Sequence, residues 1–282
     1  MSYKTILVHV DKSRRVNERI RLAAAIAHDE SAHLVGSAAT GISRYIYQSS
    51  MMGEGMAYSA HIEAHMDLLR TQCKQALHDF EEAARMTNIR SFEARLMDDE
   101  AGAGLSLQGR YSDLLVLGQT NFDDPMSSTM PDLPEYVVLN SGRPVLIVPY
   151  AGRFDAVGKR VLVAWDASIS ATRAVTAALP LLRRANVVEV VVFNADDQDD
   201  AHGEQPGADI ALYLARHDVN VNVTRQKSKS DIGSALLSMT NDLASDLIVM
   251  GGYGHSRFRE ILLGGVTRTV LESMTVPVLM TH

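Results

Sequence analysis

One cysteine, Cys73, is all that 282 residues contain, so no disulfide can close within the chain. Positive charge is also short: 27 Lys and Arg against 34 Asp and Glu leave a formal net charge of −7. That balance disfavours non-specific attachment to nucleic acid or to an anionic membrane, because both need cationic surface. No run approaches the roughly 18 apolar residues of a membrane span. The opening apolar run, residues 3–10, is interrupted by His9 and followed by Asp11, which is too short and too polar for a secretion signal. The expectation is a cytoplasmic protein with neither nucleic acid nor membrane as partner, and a lone cysteine fits a reducing compartment.

What is present is an ordinary globular composition, 46% hydrophobic and 22% charged, arranged as a repeat. Val8-His9-Val10-Asp11-Lys12-Ser13 matches Val163-Ala164-Trp165-Asp166-Ala167-Ser168 at an offset of 155. Ser112-Asp113-Leu114-Leu115-Val116-Leu117-Gly118 matches Ser245-Asp246-Leu247-Ile248-Val249-Met250-Gly251 at an offset of 133. Arg143-Pro144-Val145-Leu146 and Val276-Pro277-Val278-Leu279 keep the second offset. The fall from 155 to 133 puts a net 22 extra residues in the first half, between its first and fourth strands.

Each half alternates strand and helix. In the second, apolar β-branched runs predict strands over 160–165, 187–193, 219–223, 247–250 and 277–280. The alternating Val and Asn of 219–223 suit an edge strand with one wet face. Ser168 is a helix N-cap, ahead of Ala171, Ala174, Val175, Ala178, Leu179 and Leu182 at helical spacing. Ile232, Leu236, Leu237, Met239 and Leu243 mark another helix. The fold class is α/β: two tandem doubly wound parallel five-stranded sheets, Rossmann-like, of order 3-2-1-4-5. The domains are 1–150, with an insert near 41–60, and 158–282, joined by the polar linker 150–158.

The insert carries Tyr45, Tyr47, Met51, Met52, Met56 and Tyr58 beside Gly53 and Gly55, and reads as a long loop or partly helical excursion. Its Met and Tyr content makes it a candidate contact surface or lid. Cys73 shares one helical face with Ile62, Met66, Leu69, Ala76 and Phe80 and reads as a small buried hydrophobe. His61 and His65 stand one helical turn apart without a third ligand, and the carboxylates of 196–200 lack the spacing of a calcium loop. No metal site is expected.

The informative stretch is 250–267, MGGYGHSRFREILLGGVT. It follows a predicted strand and runs into a helix. Gly251, Gly252 and Gly254 let backbone approach a ligand, while Gly264 and Gly265 open the helix. Amides and dipole at a helix N-terminus attract anions. Thr267, His255, Ser256 and Arg257 add groups that reach phosphate oxygens. With order 3-2-1-4-5, this loop and Asp166 meet at the switch point of the sheet, where open α/β sheets bind ligands. There Asp166 could accept hydrogen bonds from a ribose or an adenine edge. No lysine follows the glycines, which excludes a P-loop motor, and no nucleophile with a positioned base is evident.

On these residues the chain resembles the universal stress protein family in a tandem two-domain form. The family's motif of Gly, two residues, Gly, nine residues, Gly, then Ser or Thr is matched by Gly251, Gly254 and Gly264, followed by Gly265, Val266 and Thr267. The resemblance implies that Ala164, Asp166, Val192 and Met250 line an adenosine pocket. Asp166 would meet the ribose and backbone at Val192 or Phe193 the adenine. Gly251, Gly254, Gly264, Gly265 and Thr267 would meet phosphates. It implies pseudo-dimer packing, with the strands over 145–148 and 278–281 paired, and further assembly as a homodimer. The ligand is then ATP or another adenine nucleotide, with Mg2+ as a companion the phosphates could carry. Gly265 departs from the family by lacking the hydroxyl.

The first half departs further. Gly254 becomes Asn121, Gly264 becomes Pro131, Gly265 becomes Asp132, and Gly118 alone survives. Pro131 has no N–H, and Asp123, Asp124 and Asp132 would repel phosphate. The expectation is a stress-response regulatory protein that binds its nucleotide in the second half. A nucleotide-free interaction scaffold and a slow ATP hydrolase are the alternatives.

Overall fold

The structure, a computed structural model, describes residues 2–43, 56–124, 130, 132–154, 156–195, 205–229, 231–253 and 265–282, with the side chains of 56–61 excepted. It divides into two compact units, Tyr3–Arg143 and Pro144–His282, the latter joined by the first two residues of the chain.

The first unit contains β1 (Thr5–His9), α1 (Val16–Glu30), β2 (His33–Ala39), α2 (Met56–Met86), β3 (Phe92–Met97), α3 (Ala101–Gly109), β4 (Leu114–Gly118) and α4 (Leu133–Ser141). Its strands lie in the order β3-β2-β1-β4, all parallel. Ile6, Leu7, Val8, Leu34, Val35 and Leu114 through Leu117 are buried, as expected of strands covered by helices on both faces. The extra residues of this half go largely into α2, 31 residues long, where the second unit has a helix of 8. Met56 through Ala60 are therefore helical, while 44–55 lie outside the described residues.

Met66, Leu77, Phe80 and Ala84 form the buried face of α2. Phe80 stacks edge-on against Phe92 at 6.4 Å and covers Gly36, where any Cβ would strike the ring at 2.5 Å. Cys73 is half-buried rather than buried, because it sits at the margin of this face. Its thiol donates to the Ala39 carbonyl at 3.3 Å, and burial raises its pKa.

The second unit contains β5 (Val145–Val148), β6 (Arg160–Ala164), α5 (Ile169–Leu182), β7 (Val187–Phe193), α6 (Ala208–Ala215), β8 (Val221–Gln226), α7 (Ile232–Asp242), β9 (Leu247–Gly251), α8 (Gly265–Ser273) and β10 (Val278–Thr281). The order β10-β9-β6-β7-β8 is parallel and is 3-2-1-4-5 in chain terms. β5 adds to β10 antiparallel, Leu146 opposite Leu279. The Ser168 hydroxyl caps α5 by accepting from the Ala171 amide at 3.1 Å, and Ala171, Ala174, Val175, Ala178 and Leu182 are buried. β8 is indeed the edge strand, starting two residues later than the Val–Asn alternation indicates.

The repeat is one of register as well as sequence. Val8 pairs with Val116 as Val163 pairs with Val249, which reproduces both offsets. Asp113 accepts from the Lys4 and Thr5 amides at 2.7 and 3.0 Å. Asp246 accepts from Gly158, Lys159 and Arg160 at 3.1, 2.9 and 3.0 Å. These carboxylates satisfy amides at the start of each first strand, groups no ladder partner reaches.

Candidate nucleotide site

The carboxyl ends of β6, β7 and β9 converge in the second unit, with β6 between the other two. Right-handed crossovers leave β6 toward β7 on one side and reach β9 on the other, so a crevice opens between β6 and β9. Asp166, two residues past β6, stands exposed at its rim. Its Oδ1 accepts from the Ser168 amide at 3.0 Å, a local turn that orients the carboxylate. Among the described residues Oδ2 has no hydrogen-bond partner.

Gly251 ends β9 against the first turn of α5. A Cβ there would lie 2.5 Å from the Ala171 amide nitrogen and 2.8 Å from the Ser170 carbonyl carbon. The missing side chain thus lets a strand end touch a helix N-terminus, besides any ligand it admits. Two further bonds fix the same corner: Gly252 N–H donates to Thr281 O at 2.8 Å, and the Thr281 hydroxyl donates to Ser170 O at 2.8 Å. Tyr253 then turns with φ +59 and stacks edge-on against His282 at 6.4 Å.

At the β7 end Val192 is fully buried and Phe193 half-buried. Asn194 follows with φ +48, and its side chain clamps the chain beyond β8: Nδ2 donates to Ser228 O at 3.0 Å and Oδ1 accepts from Ser228 N at 2.8 Å. Sequence reasoning missed this clamp. Its signal is an Asn at a strand end, a residue type that tolerates the left-handed region.

Of the other residues singled out, Ala164 is half-buried and Met250 buried at their strand ends. Gly265 and Val266 begin α8, and a Cβ on Gly265 would meet nothing within 4 Å. Thr267 is 4% exposed, so it packs on the inner face of α8. Gly254, His255, Arg257 and Gly264 lie outside the described residues, as do Ser256, Pro131 and the carboxylates of 196–200. Among the described residues no group of three or more His, Cys, Asp or Glu side chains could hold a metal ion, and no helix is long and apolar enough to cross a membrane.

The corresponding corner of the first unit is occupied from within. Arg19, 3% exposed, lies under the ends of β1 and β4. Its Nε donates to the His9 carbonyl at 2.7 Å, and its Nη2 stands 2.8 Å from Asp11 Oδ1, off the hydrogen-bonding axis. Asp11 Oδ1 also accepts from the Ser13 amide and hydroxyl at 3.0 and 2.6 Å. Burial opposes the charge on Asp11, but the Arg19 guanidinium, His9 and Ser13 outweigh it and hold the carboxyl well below the usual carboxylate range. Burial pushes His9 down to about 4, against the pull of Asp11 and with the repulsion of Arg19. Asp124 is buried and accepts from the Arg14 amide at 3.2 Å. In the second half's numbering that position is Arg257.

With this geometry in view, residues 158–282 match the model of the Universal stress protein family. Residues 158–282 form a universal stress protein domain. The universal stress protein Slr1230 of Synechocystis sp. is 29% identical over 153 residues, 51% of this chain and 49% of the relative, so the match spans about half of that relative's length. A universal stress protein from Archaeoglobus fulgidus DSM 4304 superposes with a TM-score of 0.72 at 16% identity, over 98% of this chain and 94% of that one. A functionally unknown protein from Pseudomonas aeruginosa PAO1 gives 0.62 at 14% identity, over 98% and 92%. These likenesses show that the whole chain, including the half with the self-occupied corner, has the fold of universal stress proteins.

Proposed function

We propose that the chain is a stress-response regulatory protein that binds ATP or a related adenine nucleotide in residues 158–282, and leaves the first half empty of nucleotide. The observation that carries this reading is the uncommitted Asp166 carboxylate. It stands exposed beside β9 and its glycine end, in the crevice where doubly wound sheets take ligands. A carboxylate there accepts ribose hydroxyls. The amides of Gly265, Val266 and Thr267 open α8, and first-turn amides have no partner within their own helix. Thr267, the last of these three, is almost wholly buried. Backbone at Val192 and Phe193 borders the base, Ala164 and Met250 line the adenosine, and the loop through Gly252, Gly254, His255, Arg257 and Gly264 completes the phosphate contacts. Mg2+, a homodimer and a cytoplasmic location belong to the same reading.

Gly265 favours a second reading, a nucleotide-free scaffold, since the family hydroxyl is missing there. Trp165, the single tryptophan, is half-buried beside Asp166 and reports directly on the crevice. Titration with ATP should change its fluorescence saturably, and Asp166→Ala should weaken that response. No response at millimolar ATP, with no nucleotide released from denatured protein in mass spectrometry, would establish the scaffold instead. Rapid turnover abolished by Asp166→Ala would establish a hydrolase.

A further inference from the structure

We propose that Arg19 is a resident internal ligand of the first half: its guanidinium fills the corner between Asp11 and Gly118 and makes that half's fold independent of any bound small molecule. The inference stands on the first unit by itself and survives if the second half binds nothing.

Three observations converge. First, the carboxylate at the end of β1 is taken, with Arg19 Nη2 2.8 Å from Asp11 Oδ1. Second, the glycine at the end of β4 is taken: a Cβ on Gly118 would collide with Arg19 Nη1. At the matching position Gly251 faces the backbone of α5, because the residue matching Arg19 is the small, buried Ala174. Third, the guanidinium reaches the main chain of β1 through His9 O at 2.7 Å. One planar group thereby joins β1, β4 and α1, which a point-charge ammonium could not do with the same geometry. His9, itself buried beside Asp11 at 3.6 Å, adds no competing cation near neutral pH because burial keeps it neutral.

A guanidinium bound this way should be replaceable by a free one. In the full chain, Arg19→Ala should lower amide-exchange protection of β1 and β4 by at least tenfold. Millimolar methylguanidinium should restore that protection saturably, and methylammonium should not. Adding Asp11→Asn to Arg19→Ala should abolish the rescue. Wild type should not respond to methylguanidinium, and β6 and β9 should keep their protection throughout. Absence of saturable rescue in Arg19→Ala overturns the proposal. If that variant does not fold, Gly118→Ala is compared in wild type and in Arg19→Lys. The added methyl should lower protection several-fold in wild type and clearly less beside the shorter ammonium, whereas equal losses overturn the proposal.

Discussion

Asp11 and Asp166 stand at the same place in two copies of one fold and serve opposite ends. Asp166 is exposed, with one oxygen held by its own turn and the other uncommitted among the described residues. Asp11 is ringed by Arg19, His9 and Ser13. The difference comes from the residue eight positions further on, in the helix that follows, Arg19 against Ala174. Under the proposed function, a site is thus retired from inside the domain, by a side chain that satisfies its carboxylate, as well as by erosion of its loop. The eroded loop contributes too: Asp124 turns inward to the Arg14 amide, placing negative charge where a phosphate loop needs amides.

The comparison breaks most visibly under acid. His9 binds its proton only near pH 4 when folded, against about 6.5 in an unfolded chain. The unfolded state therefore holds more protons between those values. Stability is full above pH 6.5 and falls as pH drops toward 4, by about 3 kcal/mol. Asp11, depressed by its partners, withdraws more below the unfolded carboxylate value near 4. The second half has Ala164 in place of His9. Hydrogen exchange against pH should show β1 and β4 losing protection from pH 6.5 downward while β6 and β9 hold. His9→Ala should flatten that slope. Equal acid sensitivity of the two sheets would contradict the account.

Gly251→Ala should cost about 3 kcal/mol in unfolding experiments, the upper end of overpacking, because its methyl meets backbone that cannot turn aside. Gly118→Ala meets only a side-chain end and should cost less. Asp166→Ala should weaken ATP by about 1.5–3 kcal/mol, the worth of hydrogen bonds to a charged group, whereas Asp11→Asn should leave ATP affinity unchanged in calorimetry. Gly265→Ser restores the hydroxyl and should tighten ATP by about tenfold, the lower end for one hydrogen bond to a charged phosphate. Ser168→Ala removes the α5 cap and should cost about 1 kcal/mol. Its counterpart Ser13 caps no helix, since α1 starts at Val16 with Arg15 at the N-cap and no side-chain cap, so Ser13→Ala tests the asymmetry at its smallest.

Much of this was legible in the sequence. Runs such as 187–193 and 145–148 are all but solid with β-branched and apolar residues, and buried parallel strands require that, so their bounds follow from composition. The paired Asp113 and Asp246 mark the repeat, but sequence does not reveal that they cap strand amides, since their partners lie more than eighty residues away. α6 escaped because seven of its eight residues are Ala, Ile, Leu or Tyr, a run too short and too uniformly apolar to show a period, although only Ile210 and Leu214 are buried. That Gly251 and Asp166 stand at neighbouring strand ends was legible because strand order fixes where β6 and β9 end. Arg19 was not legible. On α1 it stands three, four and seven residues before Leu22, Ala23 and Ile26, on the buried face, but its partners Asp11 and Gly118 are brought to it only by the tertiary fold. Thr267 shows the converse, a motif residue whose burial the sequence does not reveal.

Calorimetric stoichiometry decides the central claim. ATP titrated into the intact chain should saturate at one nucleotide per chain, with the heat removed by Asp166→Ala and preserved in Asp11→Asn. Two nucleotides per chain, or a single one lost with Asp11 and kept without Asp166, would show that the corner occupied by Arg19 is the working one.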